Sequence, residues 1–153
     1  MDVLLADPDK PISPERKSHQ LTKMYIALDR IEKGAGADVE DLALVSDAVE
    51  MTHRFYYHNV TTLEAHDAMQ DDIQIARRAL VDAYKHWQAD DLTLLTGTGM
   101  QAIRRVMDTY YALMEVVPER RMIEMHRETE KANRLALSKG EAFHVGKGRE
   151  KKP

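Results

Sequence analysis

Met100-Gln101-Ala102-Ile103-Arg104-Arg105-Val106-Met107-Asp108-Thr109-Tyr110-Tyr111-Ala112-Leu113-Met114-Glu115-Val116-Val117 is the stretch that decides the fold class. Met100, Ile103, Met107, Tyr110, Met114 and Val117 recur at alternating three- and four-residue steps without a break. That spacing lays a single apolar stripe along an α-helix. The simplest arrangement turns the stripe toward the chain's own core. Its regularity also suits a helix–helix contact with a second copy, so a homodimer is an open expectation.

Moving outward, Thr98-Gly99-Met100-Gln101 reads as a capping box opening this helix, and Asp90 to Gly97 as a connector. Pro118 follows with no loop residues around it. It either opens a new helix or kinks one long helix. Glu119 to Ser138 continues the helical pattern until Gly140. Its apolar stripe is weak, and Arg120, Arg121, Arg127, Lys131 and Arg134 keep most of its surface wet.

Upstream, Ser13-Pro14-Glu15 is a helix start: serine caps, proline suits the first turn and glutamate suits the positive dipole end. Leu21, Met24, Tyr25, Leu28 and Ile31 then share a face until Gly34 and Gly36. Asp38 caps a second helix. Leu42, Val45 and Val49 line one of its faces, and Leu44, Ala48, Met51 and Phe55 an adjacent one. So wide a stripe predicts a central, well-buried helix. Thr61-Thr62-Leu63-Glu64 is another capping box, opening a third helix about 40 Å long at 1.5 Å per residue. The expected architecture is all-α, an antiparallel bundle of about five helices over residues 13–138. An extended arm (1–12) precedes it and a short disordered basic tail (139–153) follows.

Composition narrows the function classes. The 153 residues hold no cysteine, which removes thiolate nucleophiles, disulfides and zinc–cysteine sites. Nothing approaches a membrane-spanning apolar run, and the acidic N-terminus is the wrong charge for a secretory signal. A cytoplasmic protein that needs no cofactor and no membrane is expected. The net charge of −4 is unevenly spread. Residues 36–91 carry twelve acids and four bases, whereas residues 139–153 carry two acids and five bases.

Reactive constellations are sparse. His53, His58 and His66 fall close together, and His126 precedes Glu130 by one turn. These are the candidate metal ligands, although His53 and His58 do not share a helical face and no Glu-x-x-His pair occurs. Adjacent carboxylates such as Asp71-Asp72 point about 100° apart on a helix and do not converge on a substrate. Gly97-Thr98-Gly99 lacks the lysine and spacing of a phosphate loop. Ser46 and Ser138 have no local base. No catalytic residue is nominated, and the chain is expected not to be an enzyme.

Partner binding is the remaining possibility. Tyr56 and Tyr57 are candidate interface anchors, and Asp71 and Asp72 belong to an acidic surface for a basic partner. Arg104, Arg105, Arg120 and Arg121 form a basic face if the last two helices pack together. With the tail, that face would serve nucleic acid.

The run from Gly99-Met100-Gln101 to Val117-Pro118-Glu119-Arg120-Arg121 resembles small helical proteins of unknown function from temperate phages and plasmids of proteobacteria. The likeness covers residues 38–135: an aspartate-rich helix start, a Gly-x-Gln helix opening and a charged last helix. It carries over no functional residue. It implies an accessory protein of a mobile element, one that binds a host protein as an inhibitor or regulator. The leading expectation is a protein-interaction module. A metal- or ligand-binding bundle and a nucleic-acid accessory protein are the alternatives.

Overall fold

A computed structural model describes residues 13–34, 36–59 and 63–138, with side chains given outside 57–66 and 134–138. All regular structure in it is helical: α1 (Pro14–Lys33), α2 (Val39–Asn59), α3 (Leu63–Asp90), α4 (Gly97–Val116) and α5 (Glu119–Ser138). No helix among the described residues is long and apolar enough to cross a membrane. The arm, the tail and the Thr61 cap lie outside the described residues.

The caps explain where the helices begin. Ser13 Oγ accepts from the Arg16 N–H, with Pro14 in the first turn. Asp38 and Asp41 cap each other: Asp41 N–H donates to Asp38 Oδ1 at 3.0 Å, and Asp38 N–H donates to Asp41 Oδ2 at 3.1 Å. Two early helical donors are thereby satisfied. The cap of α4 differs from the expectation. Thr96, not Thr98, accepts from the Gly99 N–H at 3.0 Å, so the helix opens two residues earlier and Thr98 lies in its first turn. A β-carbon on Gly99 would stand 2.7 Å from the Ala79 β-carbon, so this end of α4 lies almost against α3. Pro118 separates two helices rather than kinking one. Val117 is extended (φ −82°, ψ 130°), and the Pro118 carbonyl accepts from Met122 N–H at the start of α5.

Helix α2 is central, packing against α1, α3, α4 and α5. Leu42, Val45, Ala48, Val49 and Met51 are buried on it, as its wide stripe predicts. Helix α4 packs on α2 and α3 through Ala102, Ile103, Val106, Met107, Tyr110, Leu113 and Met114. The regular seam therefore serves the chain's own core rather than a second copy. Helix α5 packs principally on α2, not beside α4.

The connector between α3 and α4 is tied to the end of α1. Thr93 Oγ1 donates to the Ile31 carbonyl at 2.8 Å, and Thr93 N–H donates to the Gly34 carbonyl at 3.1 Å. Gly34 closes α1 at φ +84°, and a β-carbon there would meet the Thr93 carbonyl oxygen at 2.8 Å. Only glycine meets both conditions.

Candidate functional site

Two features meet where α5 lies over α2. The first is an open groove of about 570 Å³ between α1 and α5. Met51 of α2, Tyr110 and Met114 of α4, and Met122 of α5 form its largely buried floor. Gln20 hydrogen-bonds the Tyr110 phenol, whose pKa burial pushes well above the ordinary value. Ile123 and His126 form the α5 wall, half-exposed, and Arg127 stands in solvent at the rim. Across the groove, α1 presents Glu15, Arg16 and His19.

The groove exists because α1 and α5 reach the core separately. At one end they are joined: Arg16 pairs with the buried Glu119 at the first residue of α5. Lys17 pairs with Glu115 and lies over the Tyr111 ring, 4.2 Å from its centroid. Helical spacing puts Arg120, Ile123 and Arg127 on one stripe of α5, and Lys23 one turn beyond His19 on α1. The groove is thus apolar inside, with charges of both signs at its edges: Glu15 on α1, Arg127 on α5, and Arg16 already paired with Glu119.

The second feature is a polar seam under α5. Asn133 Nδ2 donates to Asp47 Oδ1 across the α2–α5 interface. Burial raises the Asp47 carboxyl to about 6. The Asn133 hydrogen bond and nearby His126 oppose the rise, and Glu130 and Glu50 add to it. Ser46 Oγ, Thr129 Oγ1, Asn133 Oδ1 and His126 Nδ1 are buried without a hydrogen-bond partner. All four lie on α2 or α5. Each such group forfeits about 1–3 kcal/mol relative to hydration. Helix α5 is therefore the wall of the groove and also the helix with the most polar seat.

The residues nominated from sequence disperse. His53 accepts at Nδ1 from Arg77 Nη2 at 2.8 Å, in a cluster where Arg77 also grips Glu50 through Nε (2.7 Å) and Nη2 (2.5 Å). His126 Nε2 lies 3.5 Å from Glu130 Oε2, a one-turn pair on α5. The side chains of His58 and His66 lie outside the described residues. Among the described residues no three His, Asp or Glu side chains converge as a metal site. Ser46 is buried and cannot reach a substrate.

Part of the acidic surface is paired internally, while Asp38, Glu40, Asp82, Asp90 and Asp91 are exposed. Asp72 takes Arg105 Nη2 at 2.7 Å, Glu32 takes Arg104 Nε at 2.8 Å, and Asp41 takes Arg30 at 3.3 Å. Asp71 is exposed. The expected basic face does not assemble, because α5 packs principally on α2: Arg104 reaches α1 and Arg105 reaches α3. Arg121 stands 3.7 Å from Glu124, and Arg120 is exposed. Tyr56 is half-buried, edge-on to Phe55 at 6.1 Å, and the Tyr57 side chain is not described.

Sequence reasoning missed the seam because Thr129 and Asn133 look like wet helix surface. The available signal was spacing, since they continue the Met122–Met125 stripe by steps of four. No protein-family model, curated protein or solved structure matches this chain.

Proposed function

We propose that the chain is a non-enzymatic interaction module whose α1–α5 groove receives one amphipathic helix of a partner protein. The open, methionine-floored groove carries this reading. Methionine is unbranched and polarisable, so a floor of Met51, Met114 and Met122 can re-pack around an apolar guest. A helix laid in such a groove docks through apolar residues at i, i+3, i+4 and i+7. Arg127 on the α5 rim favours an acidic group on the guest at that edge, and Glu15 on α1 favours a basic one opposite. The resemblance to phage and plasmid proteins supports the same role: a small helical protein that occupies a host protein's helix and so blocks or regulates it.

A synthetic sixteen-residue amphipathic helix with a leucine face tests this. It is titrated into the full chain carrying methyl-¹³C methionine. The Met51, Met114 and Met122 methyl signals are expected to move, while Met24 and Met107 stay fixed. Ile123→Asp should weaken binding at least about tenfold by placing a charge on the apolar wall. Equal binding by the parent chain and the Ile123→Asp variant would overturn the reading.

A further inference from the structure

We infer that the α5 wall of the groove is proton-operated: the groove holds a guest helix while Asp47, behind the wall, is uncharged, and releases it as Asp47 ionises. The inference rests on the reading of the groove as a binding site.

The surroundings of Asp47 carry the argument. Its carboxyl is buried on α2, one turn before Met51 of the groove floor, and it meets α5. Among the described residues it takes one hydrogen bond, from Asn133 Nδ2, and no cation pairs with it. From α5, His126 favours the carboxylate and Glu130 opposes it. On α2 itself Glu50 opposes it, and Arg54 lies toward Glu128 of α5 at 3.9 Å. Arg77 of α3 is held by Glu50 and His53. Helix α4 contributes the Tyr110 phenol, to which Gln20 of α1 is hydrogen-bonded. The charged groups of α1 at the groove are Glu15, Arg16 and His19, and Arg16 is held by Glu119. A buried carboxyl with no cation of its own favours the neutral acid. Burial accordingly raises its pKa to about 6.

The wall depends on this carboxyl because of how α5 is attached. The helix packs principally on α2. Its first half is held by buried Met122 and Met125, and by Glu119 on Arg16. Its second half rests on the Asn133–Asp47 hydrogen bond, beside Ser46 and Thr129 hydroxyls that have no partner. Ile123 and His126, which form the wall, stand between the two halves. An ionised Asp47 needs solvation that this seam does not supply, so the second half lifts and the wall loosens.

A guest acts on the same equilibrium. Lying over Met51 and against His126, it takes water away from the Asp47 side of the groove and favours the neutral acid further. By reciprocity, docking takes up a proton, and affinity falls as pH rises through about 6. The wall and the guest therefore respond to pH with the same sign.

The test uses the full chain with methyl-¹³C methionine. The guest is the leucine-faced helix with blocked ends and a polar face of glutamine and arginine, so it has no group that titrates between about pH 5 and 8. It should bind the parent about 3- to 10-fold more weakly at pH 8 than at pH 5. Asp47→Asn should bind it equally at both. His19→Gln/His126→Gln should keep the pH dependence, with its midpoint moved upward by loss of the His126 charge. In the free parent the Met122 and Met125 methyl signals should titrate with a midpoint near 6, and in Asp47→Asn they should not.

Peptide binding that ignores pH in the parent would overturn the inference and leave the groove reading intact. A pH dependence that survives in Asp47→Asn, or vanishes in the histidine variant, would also overturn it. If the α5 methyls titrate with Asp47 but the peptide does not bind at any pH, the proton-operated wall stands and the groove reading falls.

Discussion

Helices α4 and α5 are each 20 residues long and both pack on α2, yet they are held by different physics. Helix α4 offers the core Ile103, Val106, Met107, Tyr110, Leu113 and Met114, all 5% exposed or less. Helix α5 offers Met122 and Met125 in its first half, then Thr129 and Asn133 against Ser46 and Asp47 of α2. Apolar burial is non-directional and insensitive to pH, and contributes about 1.5–3 kcal/mol per large side chain. The seat of α5 depends on directed hydrogen bonds and on the charge state of a carboxyl group. One helix is placed firmly, and the other is placed conditionally. The groove lies along the conditional one.

The largest effect should come from the firm side. Ile103 is fully buried, so Ile103→Ala removes three methyl or methylene groups from a packed site. It should cost about 2–5 kcal/mol in urea unfolding, with the transition still cooperative. A loss under about 1 kcal/mol would erase the distinction between the two helices.

The seam should respond to pH instead. The Asp47 carboxyl titrates near 6 in the folded chain, above its ordinary value of 3.8. The stability tied to its protonated form is therefore complete below about pH 4 and lost as pH rises through 6. Asp47→Asn cannot ionise. It should match the parent near pH 4 and exceed it by up to about 3 kcal/mol at pH 8, with the gap opening between those values. A stability difference independent of pH would show that ionisation at this position is not what weakens the seat of α5.

The smallest effect belongs to the surface pairs. Arg105 is half-exposed and grips Asp72 through two nitrogens. Its removal in Arg105→Ala should cost less than about 1 kcal/mol, and less still in high salt. A larger cost would mean that ion pairs, as well as apolar burial, hold α4 to α3.

Much of the firm side is legible in the sequence. The Met100–Val117 spacing, the wide stripe of α2 and the caps at Ser13 and Asp38 all express short-range rules, and the structure contains each of them. The Thr96 cap was harder to read. Two threonines two residues apart each head a plausible first turn, and only the close approach of Gly99 to Ala79 marks which turn is used. The groove could not be read at all. It is the space left when α5 seats on α2 and not beside α4, and helix neighbours are a tertiary property. Arg104 and Arg105 do not join Arg120 and Arg121 for the same reason.

The Thr93 tie has a consequence for how the chain meets proteases. Leu92 and Leu94 are exposed, 51% and 61%, on a connector between two long helices, which is ordinarily an inviting place to cut. A protease, however, must draw several residues into its cleft as an extended strand. Here the residue between the two leucines is pinned by both its amide and its hydroxyl to the end of α1. Cleavage must wait for that corner to open, so susceptibility at Leu92 and Leu94 reports the local opening free energy of the α1 terminus rather than the accessibility of the leucines themselves.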